Sequence, residues 1–107
     1  MYICPYRYNM MLSRGMRTSS KKQFTTEEAI WIAKHLGAKF DKFDVEEFRI
    51  GLNVELEHGT INLITNVTND DPIITGKIAL AHLNEFPDYY KRLNIMEEEA
   101  EKYWGEE

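Results

Sequence analysis

The stretch D-P-I-I-T-G-K-I-A-L-A-H-L-N-E-F, Asp71 to Phe86, decides how this chain is read. Asp71 suits a helix N-cap, and Pro72 fits the first helical position, where a missing N–H costs nothing. At ~100° per residue, Ile74, Ile78 and Ala81 share one face. Gly76, Ala79, Leu83 and Phe86 share the opposite face, and only a narrow stripe through Lys77 and Asn84 is plainly polar. A helix apolar nearly all round is normally enclosed by other helices. The stretch is therefore expected to be the central helix of an all-α domain. His82 and Glu85 flank the Ile78 face instead of the polar stripe. A buried imidazole or carboxylate needs a partner, and that partner is sought in the rest of the chain.

Upstream, Asp44 and Glu47 have the spacing of a capping box and Gly59 supplies a stop, so a helix is expected over about 45–58. Val45, Phe48, Leu52 and Leu56 form its apolar arc. Gly51 lies at the edge of the arc, where a neighbouring helix can approach closely. Glu55 sits at its centre, while Glu46, Asn53 and Glu57 face the other way, as solvent residues do. Residues 60–70, T-I-N-L-I-T-N-V-T-N-D, read as an ordered loop that pins Ile61, Leu63, Ile64 and Val67 to the body. Farther upstream, Thr25 and Glu28 make another capping box, and Ala29, Ile32, Ala33 and Leu36 make a clean apolar face. Gly37 stops that helix, which spans about 26–36. Trp31 lies off its stripe, and His35 sits in the last turn, where the dipole favours a cation.

Downstream, Pro87 breaks the central helix at Phe86, so it spans about 72–86 and a last helix spans about 88–104. Tyr89, Leu93, Met96, Ala100 and Trp104 form the apolar face of that last helix, with Tyr90 beside them. Glu97 falls inside the stripe; Glu98, Glu99 and Glu101 fall largely outside it. The expected fold is a compact all-α bundle of four helices with a loose N-terminal tail.

The chain has 107 residues, the size of one domain. Its 43% hydrophobic and 29% charged residues are ordinary for a globular protein. Cys4 alone permits neither an internal disulfide nor a cysteine zinc site, which fits a reducing, cytoplasmic setting. No apolar run approaches the ~20 residues of a membrane span. Residues 1–20 are aperiodic and free of acids, and read as a loose basic tail before a single helical domain over 21–107. Residues 1–22 carry Arg7, Arg14, Arg17, Lys21 and Lys22; the remainder carries 8 basic and 18 acidic residues. An acidic body argues against nucleic acid as a partner.

Three helices each place a carboxylate on an apolar face: Glu55, Glu85 and Glu97. Glu55-x-x-His58 and His82-x-x-Glu85 are both i, i+3 pairs, which project to one side of a helix. Carboxylates and imidazoles gathered between helices are how bundles hold metals. Glu55, His58, His82, Glu85 and Glu97 are thus the candidate ligands of one divalent ion: zinc, manganese or iron. The competing reading makes the cluster a buried hydrogen-bond network, with His82, Arg92 or Tyr90 pairing the acids and fixing helix register. The familiar di-iron bundle needs two Glu-x-x-His motifs and this chain has one in that order, which favours a mononuclear site. No phosphate-binding glycine loop, H-E-x-x-H or evident serine nucleophile points to an enzyme, and no catalytic residue is assigned.

Long strings carry a resemblance as well. F-R-x-G-L-N-V-E-L-E-H-G-T runs from Phe48 to Thr60, and D-D-P through I-A-L-A-H-L-N-E-F-P-D-Y-Y from Asp70 to Tyr90. M-E-x-E-A-E follows at Met96 to Glu101. From Phe24 to Trp104 the chain resembles a family of small bacterial and phage proteins classed as a domain of unknown function. The resemblance implies no activity. Three functional readings stand: a helical protein whose Glu/His cluster binds a metal, an interaction module that docks a protein partner, and a small metal-dependent enzyme.

Overall fold

The computed structural model describes residues 23–105. The expectations for residues 1–20 lie outside that range. Four α-helices follow one another: α1 (Thr26–Leu36), α2 (Val45–Glu55), α3 (Pro72–Glu85) and α4 (Tyr89–Tyr103). A 3-10 turn, Leu56–His58, extends α2. No strand is present among the described residues. The expected all-α fold holds, and the helix boundaries hold to within a residue, except that the last three residues expected in the second helix are 3-10.

The helix starts follow from local chemistry. The Glu28 N–H donates to Thr25 Oγ1 at 3.1 Å, and the Thr25 N–H donates to Glu28 Oε1 at 2.9 Å. Asp44 and Glu47 repeat the arrangement at α2. Asp71 Oδ1 accepts from the Ile73 and Ile74 N–H groups, each at 2.9 Å, with Pro72 at the start of α3. Each device satisfies donors that a helix N-terminus otherwise leaves open. Gly37 ends α1 at φ 69°, a left-handed conformation that a Cβ would strain.

Packing moves the centre of the fold from α3 to α2. From Gly51 to Leu56, six consecutive residues of α2 and its extension are buried. At ~100° each they point in every direction, so this stretch is enclosed on all sides. α1, α3 and α4 all pack against α2. α3, by contrast, buries only one face, through Thr75, Gly76, Ala79 and Leu83. Ile74 and Phe86 on its flanks stay over 40% exposed. The face through Ile74 and Ala81 has no helix above it among the described residues, so the expectation of an enclosed α3 is corrected. Phe48, Leu52, Ile32 and Leu83 are the largest apolar side chains at the centre of the core.

Two further expectations are inverted. Asn53 is buried, and its Oδ1 accepts the Phe24 N–H at 2.6 Å, fixing the entry of the chain onto α2. The loop before α3 turns three of its four apolar side chains outward: Leu63, Ile64 and Val67 are 65%, 87% and 72% exposed, while Ile61 is half-buried. It is held by polar groups instead. Thr60 donates through N–H and Oγ1 to the two oxygens of Asp70, and buried Thr68 accepts from the Asp70 N–H. Asn69 and Asp70 adopt positive φ, which their short polar side chains tolerate.

Candidate functional site

Two places on the molecule concentrate functional chemistry, and they share one side chain. The first is the Glu/His cluster. Glu55 closes the last turn of α2 and is 3% exposed. The Tyr90 hydroxyl, from the first turn of α4, donates to Glu55 Oε2 at 2.6 Å. Gly51 makes this possible: a Cβ there would lie 2.6 Å from the Tyr90 ring. Burial, then the charge and hydrogen bond of Glu55, hold the Tyr90 phenol far above its ordinary value. The phenol therefore stays a donor.

Two imidazoles face the same carboxylate. His58 Nε2 lies 3.8 Å from Glu55 Oε1, and His82 Nε2 lies 3.7 Å from Glu55 Oε2. Both distances exceed hydrogen-bond length. His58 is half-exposed and His82 is less so. Tyr89 stacks flat on the His82 ring, with centroids 4.1 Å apart and planes 8° from parallel. Burial, then the charges of Glu55 and Glu85, raise the Tyr89 phenol too.

The structure thus brings together three of the five candidate ligands, Glu55, His58 and His82. Glu85 stands at the exposed rim, its Oε1 3.8 Å from His82 Nδ1. Glu97 is elsewhere, two turns beyond Tyr90 on α4, or ~10 Å along the axis. Among the described residues, no group of three or more His, Cys, Asp or Glu side chains is placed to hold a metal ion. Of the partners expected for the buried acid, Tyr90 makes the bond. Arg92 lies over the Phe86 ring instead, 5.1 Å from its centroid. The role of Tyr89 was not legible in the sequence, because a helix break separates it from His82.

The second place is a groove of about 300 Å³ between α2 and α4. Ile50, Val54, Leu83, Tyr90 and Leu93 give it an apolar lining. At its mouth, Lys91 Nζ lies 3.7 Å from Glu47 Oε2, and Glu97 lines the α4 side. The signal in the sequence was Ile50 itself, an isoleucine off the main arc of α2, four residues before Val54. Beyond the groove, α4 keeps its apolar stripe but not its cover: Met96 and Trp104 are 55% and 71% exposed.

No helix among the described residues is long and apolar enough to cross a membrane. No curated protein and no solved structure matches the chain. Residues 29–99, which hold both α2 and the Tyr90 end of α4, match the family described as "Protein of unknown function (DUF5661)", and the chain belongs to that family.

Proposed function

We propose that this domain is an interaction module whose groove between α2 and α4 docks a peptide segment with apolar side chains set between basic ones. The observation that carries this reading is the exposed stripe of α4. Leu93 lines the groove, and Ala100 and Trp104 continue the same line past it, ~16 Å from Leu93 to Trp104. A length of chain fits such a surface better than a compact small molecule. The groove itself, near the low end of the ~300–1,000 Å³ of ligand sites, has room for a large side chain or two.

Charge supplies the rest of the argument. Glu47 and Glu97 line the groove, and Glu98, Glu99 and Glu101 follow on α4. Opposite charges on a partner would steer encounter and set its orientation. On this reading the Glu55–Tyr90 bond is the fixture that holds α4 against α2 and keeps the groove open. The probe is a synthetic peptide with Met and Leu side chains flanked by arginines, titrated calorimetrically into the full chain. Binding that weakens as salt is raised supports the reading. Equal binding of the same peptide with glutamates in place of arginines overturns it.

A second reading rests on two imidazole nitrogens facing one buried carboxylate. Glu55, His58 and His82 have the ligand types that take zinc, iron or manganese. Both imidazoles are partly exposed and so open to an ion from solvent, and ligation requires each to turn toward Glu55. Its test is melting temperature with zinc, manganese, iron(II) or chelator. A rise that His82→Ala abolishes and His35→Ala preserves supports this site; no shift with any ion overturns it.

A further inference from the structure

We infer that the groove between α2 and α4 is covered by the chain's own N-terminal segment, with Met10, Met11 and Leu12 as the side chains that enter it. The inference rests on the docking reading above and names the occupant. Three observations converge on it.

The first is chemistry. Residues 1–22 hold five basic residues and no acid, whereas residues 23–107 carry a net charge of −10. Within the segment, Met10-Met11-Leu12 is an apolar run bracketed by Arg7 and Arg14. That is the pattern the groove calls for: unbranched, adaptable side chains for an irregular apolar floor, and cations for the Glu47 and Glu97 lip.

The second is the point of entry. The Phe24 N–H is bonded to Asn53 Oδ1, so the segment leaves the body at the surface of α2. Asn53 lies three residues from Ile50, a spacing that makes the two neighbours on the surface of that helix, and Ile50 lines the groove. The third is reach. The dozen residues from Leu12 to Phe24 span up to ~40 Å, against ~16 Å for the whole length of α2. That length is more than enough to reach the groove from Phe24.

Covering the groove in this way makes docking competitive. A tethered segment acts at an effective concentration of about 1 mM, so one that binds its own groove with a Kd of about 0.1 mM raises the apparent Kd of an added peptide about tenfold. The same segment would also cover part of the apolar stripe of α4.

The test uses the full chain with a photoreactive benzophenone side chain at position 11, mixed with an equal amount of isotopically heavy chain. After irradiation, crosslinks within one chain to residues 47–54 and 90–97, lost in the Ile50→Ser variant, are expected. Crosslinks elsewhere on the body, or none, overturn the inference. Crosslinks joining light to heavy chains also overturn it, and assign the groove to a second copy. The arginine-flanked peptide separates this inference from the reading beneath it. A full chain carrying Met10→Ser, Met11→Ser and Leu12→Ser is expected to bind the peptide about tenfold more tightly than the unsubstituted chain. Equal binding by the two overturns self-capture and leaves docking intact; binding by neither overturns both.

Discussion

From Gly51 to Leu56, α2 is buried on every side; α4 carries Ile95, Met96, Tyr103 and Trp104 and leaves each more than half exposed. Both helices have an apolar stripe, and both place a glutamate within it, Glu55 in one and Glu97 in the other. The stripe shows which side of a helix seeks cover, but neighbours supply the cover. α2 has three helices around it, whereas among the residues of α4 only Tyr90 is buried. The contrast also separates two kinds of carboxylate. Glu55 is held by a phenol and faced by two imidazoles, and so belongs to the fold. Glu97 lines an open groove, and on the reading proposed above it belongs to recognition.

Truncation of Leu52, fully buried in α2, sharpens the contrast most: Leu52→Ala is expected to cost about 2–5 kcal/mol in denaturant unfolding. Tyr90→Phe comes next. It leaves the buried Glu55 carboxylate without its one short hydrogen bond, at a cost of about 1–3 kcal/mol. A loss comparable to that of an exposed substitution would mean that the buried pair does not hold α4.

Tyr90 also predicts a pH dependence. Its folded value lies above the ordinary 10.0, so the folded chain keeps a proton that the unfolded chain sheds. Its contribution is fully present below about pH 10 and is lost as pH rises above that value. Urea unfolding followed from pH 8 to 11 is expected to weaken at the alkaline end, and less steeply in Tyr90→Phe. Asn53→Ala, which opens the Phe24 N–H, is expected to cost about 1 kcal/mol. Met96→Ser, on the uncovered stripe of α4, is expected to change stability by less than about 0.5 kcal/mol. A larger loss there would mean that the stripe is already packed, contrary to the comparison.

Local devices were legible in the sequence because they act over three or four residues. The capping boxes at Thr25 and Asp44, the Asp71-Pro72 start and the Gly37 stop all lie where spacing places them. The inward turn of Glu55 and the close approach at Gly51 were legible too, since each depends only on the phase of one helix. Which helix sits at the centre was not. α3 is apolar nearly all round, yet its Ile74 face stays open, because enclosure depends on how the other three helices are arranged. Asn53 has a solvent residue's composition and phase, and only the entry of Phe24 gives its amide a buried partner. The loop before α3 inverts for a related reason: Thr68 and Asp70 satisfy its backbone and each other, which sends Ile64 outward. Of the five candidate ligands, the i, i+3 pairs found their own neighbours, but helical phase alone could not show that Glu97 stands two turns beyond Tyr90.

The groove claim is most directly tested by titrating the arginine-flanked peptide into three full-length chains: unsubstituted, Ile50→Ser and Ile64→Ser. Both substitutions remove an exposed isoleucine, one in the groove and one in the loop before α3. Ile50→Ser is expected to weaken binding about tenfold, or about 1.4 kcal/mol, while Ile64→Ser leaves it unchanged. Equal losses at both positions, or a loss at neither, would contradict a docking site between α2 and α4.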